Sequence, residues 1–211
     1  MTRIGLASDS FGNLDALSVA FDLFARALAD RVFFLGGWWA DVDAVLARQR
    51  YGSSGGPGTG GDSGFLSAVK GALARAAATS EHPVAGRITR VASRTCPERG
   101  SGAQTKVVDL LEGRICCLVH DKAELSRDDI GNATLLFHGN SGRAALVQIG
   151  PRVFVTPGHL RTRDEEDRPA SFALADVGPG EIVLTVFSAE GAELRRESAP
   201  LPSGGGKVSV R

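Results

Sequence analysis

The spacing of apolar positions along this chain changes several times, and each change marks an element. Residues 3–7 form a short apolar run that ends in Ser8-Asp9-Ser10-Phe11-Gly12-Asn13, after which Leu14, Leu17, Phe21, Phe24 and Leu28 recur at helical spacing. The pattern predicts a buried strand, a loop, and a helix packed on the sheet with Asn13 as its N-cap. Arg31 to Gly36 predicts a second buried strand, followed by Gly37-Trp38-Trp39 and a helix over about 41–50. This βαβα order implies parallel strands.

Residues 51–64 carry almost no apolar side chain and predict a mobile Gly-rich loop. No Gly-Lys-Ser/Thr follows it, so it does not read as a phosphate-cradling loop. Helical periodicity returns from Phe65 to Ala78, with Phe65, Leu66, Val69, Leu73 and Ala76 on one side. A strand is expected at 84–93, and runs at 106–111 and 114–119 around Glu112-Gly113 form a hairpin signal. A short helix at 125–130 and strands at 134–137, 144–149, 152–155, 171–175, 181–187 and 193–198 complete the pattern, which makes the second half read as antiparallel. Residues 1–200 read as one domain containing the flexible loop 52–64, with a flexible tail at 201–211.

Composition narrows the function classes. At 211 residues the chain can bury a sizeable single core. Lys+Arg and Asp+Glu are equal at 24 each, so bulk charge gives no reason for a nucleic-acid or anionic-membrane partner. Cys116 and Cys117 are adjacent inside an apolar run and, with Cys96, read as small buried hydrophobes rather than a disulfide framework. A reducing, cytoplasmic setting is expected. The amino terminus lacks the basic-then-apolar layout of a signal peptide, and no apolar run reaches roughly 18 residues. The richness in Ala, Arg and Gly is that of a GC-rich bacterial gene.

Asp9 falls at the carboxyl end of the first strand, where open α/β sheets carry their chemistry. The run Asp9-Ser10-Phe11-Gly12-Asn13 between strand and helix resembles the opening of the calcineurin-like metallophosphoesterases, in particular their small bacterial phosphodiesterase branch. There the strand runs into Asp-x-His-Gly-Asn. The resemblance extends over roughly Ile4 to Phe187 and implies a four-layer α/β/β/α sandwich. It also implies two divalent metals, held by strand-end loops, that activate water and clamp a phosphate.

The same landmarks argue against that activity here. The metal-binding histidine of the first motif is Phe11, and Leu-Gly-Asp of the second is Leu35-Gly36-Gly37, so the bridging aspartate is a glycine. No Gly-Asn of the third motif occurs between Gly71 and Arg99. His-Gly of the fourth is His120-Asp121, and Gly-His-x-His of the fifth is Gly139-Asn140-Ser141-Gly142. A turn at Thr156-Pro157-Gly158-His159 and a strand from Pro169 follow in order. The resemblance thus leaves Asp9, His120 and Asn140 as remnants, too few donors for a metal pair.

Each survivor also has a purely structural reading. Asp9 is placed to cap the following helix, and His120 to be a hydrogen-bonded strand-end histidine. No metal is expected. The alternative is one divalent ion, zinc or manganese, on Asp9, His120, His138 and His159. Phe11 is expected to fill the former metal cavity. Trp38 and Trp39 should point opposite ways, one into the core and one towards a protein partner. The charged run Arg161 to Arg168 reads as a solvated loop whose arginines are also suited to an anion. The chain therefore reads as a catalytically inactive scaffold binding a protein at Phe11, Trp38 and Trp39, with Asn140 and His159 on the rim. The alternatives are a phosphodiesterase or phosphatase with a remodelled site, and a phosphate or nucleotide sensor; oligomeric state is open.

Overall fold

The computed structural model describes residues 1–51, 82–97, 102–162 and 168–202. β1 (Thr2–Ala7) leads through the Asp9 loop into α1 (Leu14–Arg26), then β2 (Arg31–Phe34) and α2 (Trp39–Tyr51). β3 (Ile88–Arg90) follows a single 3-10 turn, so the strand expected at 84–93 is shorter than its apolar run. β4 (Lys106–Leu111) and β5 (Arg114–Val119) form the expected hairpin. α3 (Arg127–Asn132), opened by a Ser126/Asp129 capping box, precedes β6 (Leu135–His138). β7 (Ala144–Ile149), β8 (Arg152–Pro157), β9 (Ser171–Val177), β10 (Glu181–Ser188) and β11 (Glu193–Pro200) complete the chain. The predicted helix at 65–78, the loop 52–64 and most of the tail lie outside the described residues.

Two sheets stack face to face, with strand orders β11-β10-β9-β1-β2-β3 and β4-β5-β6-β8-β7. β1, β2 and β3 are parallel, as the βαβα pattern predicts. The second sheet departs from the antiparallel expectation: β5, β6 and β8 run parallel. The stretch between β5 and β6, containing a 3-10 turn and α3, is long enough for a crossover and replaces a hairpin.

Alternation along the central strands sorts side chains into layers. Ile4, Leu6, Phe33 and Leu35 face the second sheet and meet Leu118, Phe137 and Val155. The Phe33 and Phe137 rings cross edge to face at 5.4 Å. Ala7, Val32 and Phe34 face outward under Leu17, Phe21 and Phe24 of α1 and Val42 and Val45 of α2. Beyond the second sheet, Cys117, Val119 and Leu136 are covered by Leu125 and Ile130. The result is the four-layer α/β/β/α sandwich, with an outer layer of α3 and one 3-10 turn over the second sheet. Cys96, Cys116 and Cys117 are buried and form no disulfide with one another; burial pushes the Cys116 thiol up to about 12 and Cys117 to about 11. Among the described residues no helix is long and apolar enough to cross a membrane.

Candidate functional site

The loop after β1 meets the ends of β2, β5 and β6 at one rim of the sandwich. Asp9 enters through a left-handed backbone (φ 53°), and Phe11 (φ 39°) and Asn140 (φ 47°) share that conformation. It is costly for residues with a side chain, by about 1–2 kcal/mol each, and persists where surrounding bonds hold it. Those bonds are present. The Asp9 amide donates to the Gly36 carbonyl at 2.9 Å. Asp41, 6% exposed in the first turn of α2, accepts from Ser10 Oγ at 2.7 Å and the Gly12 amide at 2.8 Å. Asn13 caps α1 by accepting from the Ala16 amide and donates its own Nδ2 to the Leu160 carbonyl.

Asp9 is fully buried. Its Oδ1 lies 2.9 Å from His120 Nε2, and its Oδ2 accepts the Asn140 amide at 2.9 Å. Asp9 therefore pairs across the site, and the helix-capping expectation fails because Asn13, one turn later, takes the cap. The His120 ring lies on Gly36, where a Cβ would approach Cδ2 to 1.9 Å. Its Nδ1 is buried without a hydrogen-bond partner. The Arg161 guanidinium stacks on the Phe11 ring at 4.9 Å and reaches within 3.9 Å of Asp9 Oδ1. Phe11 meets Trp38 edge to face at 5.8 Å.

A pocket of about 210 Å³ opens here, lined among others by Phe11, Arg94, Thr95, His120, Asn140 and Arg161. Asp121, also on its wall, accepts from the Ala123 amide and from Asn140 Nδ2. The Ala123 amide, then Asn140, Arg94 and His120 hold its carboxyl below the usual range against the opposing effect of burial. Arg94 is paired with Glu124 at 3.0 Å.

Trp38 is 41% exposed at the rim, whereas Trp39 packs against the α1/α2 core and its Nε1 points at the Val91 carbonyl. His138 and His159 do not join Asp9 and His120. His138 closes on the Gly139 carbonyl through Nδ1 at 3.0 Å, and burial pushes its pKa down. His159 has both ring nitrogens occupied, Nδ1 accepting the Arg161 amide and Nε2 donating to the Arg168 carbonyl. Sequence reasoning did not single out Asp41, Arg94 or Asp121. Asp121 carried a signal, being the residue directly after His120, while Asp41 and Arg94 belong to no motif.

No protein-family model matches the chain, and no curated protein matches it either. Solved structures do. A conserved Streptococcus pneumoniae protein described as a predicted phosphoesterase superposes with TM-score 0.59 at 16% identity, over 94% of this chain and 97% of that one. Vps29 of Chaetomium thermophilum gives 0.60 at 15%, over 96% and 100%, and has also been solved with a bound cyclic peptide. Yfce, a phosphoesterase from E. coli, gives 0.55 at 19%, over 93% and 98%. The chain has the metallophosphoesterase fold.

The donors at this rim do not fit the metal pair that the fold implies. Phe11 and Gly37 offer no ligand atom, and Gly142 replaces a second histidine position. The surviving Asp9 and His120 are hydrogen-bonded to each other. Among the described residues no group of three His, Cys, Asp or Glu side chains is placed to hold a metal ion. The four residues of the mononuclear alternative, Asp9, His120, His138 and His159, are not brought to one centre, since the last two histidines bond to backbone carbonyls instead.

Proposed function

We propose that this chain is a metallophosphoesterase-fold protein without phosphoesterase catalysis, working in the cytoplasm as a protein-binding module. The observation that carries this reading is the Trp38–Phe11–Arg161 stack standing where a metal-ligand loop would be. Exposed Trp and Arg are the side chains that most often anchor protein interfaces. Phe11 holds both in place from below. Peptide binding by one Vps29 supports the reading by analogy. Three buried cysteines that form no disulfide with one another support a reducing compartment.

The charge balance of the pocket weakens the phosphate-sensor reading. Arg94 and Arg161 are offset by Glu124 and Asp9, and Asp121 adds a further carboxylate to the wall. A phosphate dianion would meet no excess positive charge.

The test joins two assays. Hydrolysis of bis-p-nitrophenyl phosphate with added manganese or zinc should not exceed the protein-free blank. Affinity capture should retain at least one protein on the wild type that is lost from Trp38→Ala. Metal-dependent turnover that disappears in His120→Ala would make the chain an enzyme instead.

A further inference from the structure

The misfit between this rim and a metal pair has a counterpart in the chain itself. Asp9 is a fully buried carboxylate. In a metal-bearing site its charge would be met by a divalent ion; here the Ser8 hydroxyl lies 3.3 Å from Oδ2, and three further groups face the carboxylate. His120 Nε2 and the Asn140 amide supply hydrogen bonds at 2.9 Å each. The third is Arg161, whose Nη2 is 3.9 Å from Oδ1. Among the described residues near this carboxylate, Arg161 is a side chain that stays charged at any accessible pH.

The position of that guanidinium is also fixed. It lies between the Asp9 carboxylate and the face of Phe11, the two side chains at the Asp and His positions of the Asp-x-His loop. An aromatic face attracts a guanidinium, and a phenyl ring has no lone pair to offer a metal. The backbone beneath Arg161 is tied to the same loop. The Leu160 amide donates to the Ser8 carbonyl at 3.1 Å, and the Leu160 carbonyl accepts from Asn13 Nδ2 at 2.8 Å. The Arg161 amide donates to His159 Nδ1. Its side chain is 48% exposed, so the guanidinium enters from the solvent side, from which an ion would also enter.

We propose that Arg161 is a tethered cation used by this chain in place of a metal: it neutralises Asp9 and keeps divalent ions from reaching it. Phe11 and Arg161 then work as one unit, because the ring that cannot ligate a metal is the ring that seats the guanidinium. The inference concerns the interior of the site and stands whether or not Trp38 binds a partner.

The test is a double-mutant cycle read by thermal unfolding, with zinc chloride as the ion probe. Arg161→Ala should lower Tm by about 2–4 °C, and Arg161→Lys, which keeps the charge, should recover most of that loss. In an Asp9→Asn background Arg161→Ala should leave Tm unchanged, because no buried charge remains to neutralise. Zinc should raise the Tm of Arg161→Ala and leave the wild type unmoved. An equal loss in both backgrounds would show that Arg161 acts by packing alone and overturn the neutralisation. No zinc response in Arg161→Ala beyond that of the wild type would overturn the exclusion.

Discussion

His120 Nε2 lies 2.9 Å from Asp9 Oδ1, joining residues 111 positions apart. Asp9 follows β1 in one sheet and His120 follows β5 in the other, so this bond clasps the two sheets at the rim that carries the pocket. Replacing His120 by Ala removes a partner from a buried carboxylate and should destabilise the fold by about 1–3 kcal/mol, measured by urea unfolding. Gly36→Ala should act through the same ring, since its Cβ would meet His120 Cδ2 at 1.9 Å and its φ is 105°. The two losses should therefore be less than additive. Full additivity would mean that the ring is not held by Gly36.

A second close approach lies on the helical side of the first sheet. A Cβ on Gly5 would come within 2.5 Å of Phe24 Cγ, a fully buried ring of α1. β1 thus needs glycine at this outward position so that Phe24 can lie flat on the strand. Gly5→Ala should cost about 1–3 kcal/mol by overpacking. Phe24→Leu in the same chain should return part of that loss, giving a coupling of at least about 0.5 kcal/mol in a double-mutant cycle. Independent losses would show that the sheet and α1 separate without strain.

How much of this was legible in the sequence depended on how local its cause was. The Asn13 cap and the α1 face were readable because both arise within one or two turns, and Asn13 Oδ1 does accept the Ala16 amide. The β4–β5 hairpin matched to the residue because Glu112 and Gly113 both take positive φ, 48° and 73°, as a two-residue turn demands. Leu28 was misplaced on the α1 core face. The helix ends at Arg26, and Leu28 turns left-handed (φ 55°) into solvent at 76% exposure. The parallel pairing of β5, β6 and β8 was hidden, because strand direction is set by where the crossover goes rather than by the pattern within each strand. At the site, the family motifs grouped Asp9 with His120 and Asn140, which are its hydrogen-bond partners. Nothing local to Asp9 announces Arg161.

His82 gives the fold a pH dependence. Its side chain is buried against Phe21, with Asp22 3.7 Å from Nε2. Burial lowers its pKa, outweighing the opposing pull of Asp22. The folded state therefore binds fewer protons than the unfolded chain, whose histidine titrates near 6.5, and stability rises with pH across this range. His138 is shifted down for the same reason. Tm should hold above about pH 7 and fall as the solution is acidified through and below pH 6.5. His82→Gln should flatten the profile; a profile as steep as that of the wild type would remove His82 as a cause.

The far end of the sandwich is closed by Arg114, the first residue of β5 and only 4% exposed. Its guanidinium donates to the carbonyls of Glu112, Gly178, Pro179 and Pro202. These belong to the β4–β5 turn, the β9–β10 turn and the segment after β11, so one planar fork joins both sheets. Only a guanidinium can serve carbonyls on several sides at once; an ammonium is a point donor on a flexible stem. Arg114→Met should cost about 2–4 kcal/mol, since it leaves charge-assisted acceptors buried without donors. Arg114→Lys should recover less than half of that in urea unfolding, although it keeps the charge. A lysine variant as stable as the wild type would show that charge, and not the fork, holds this end together.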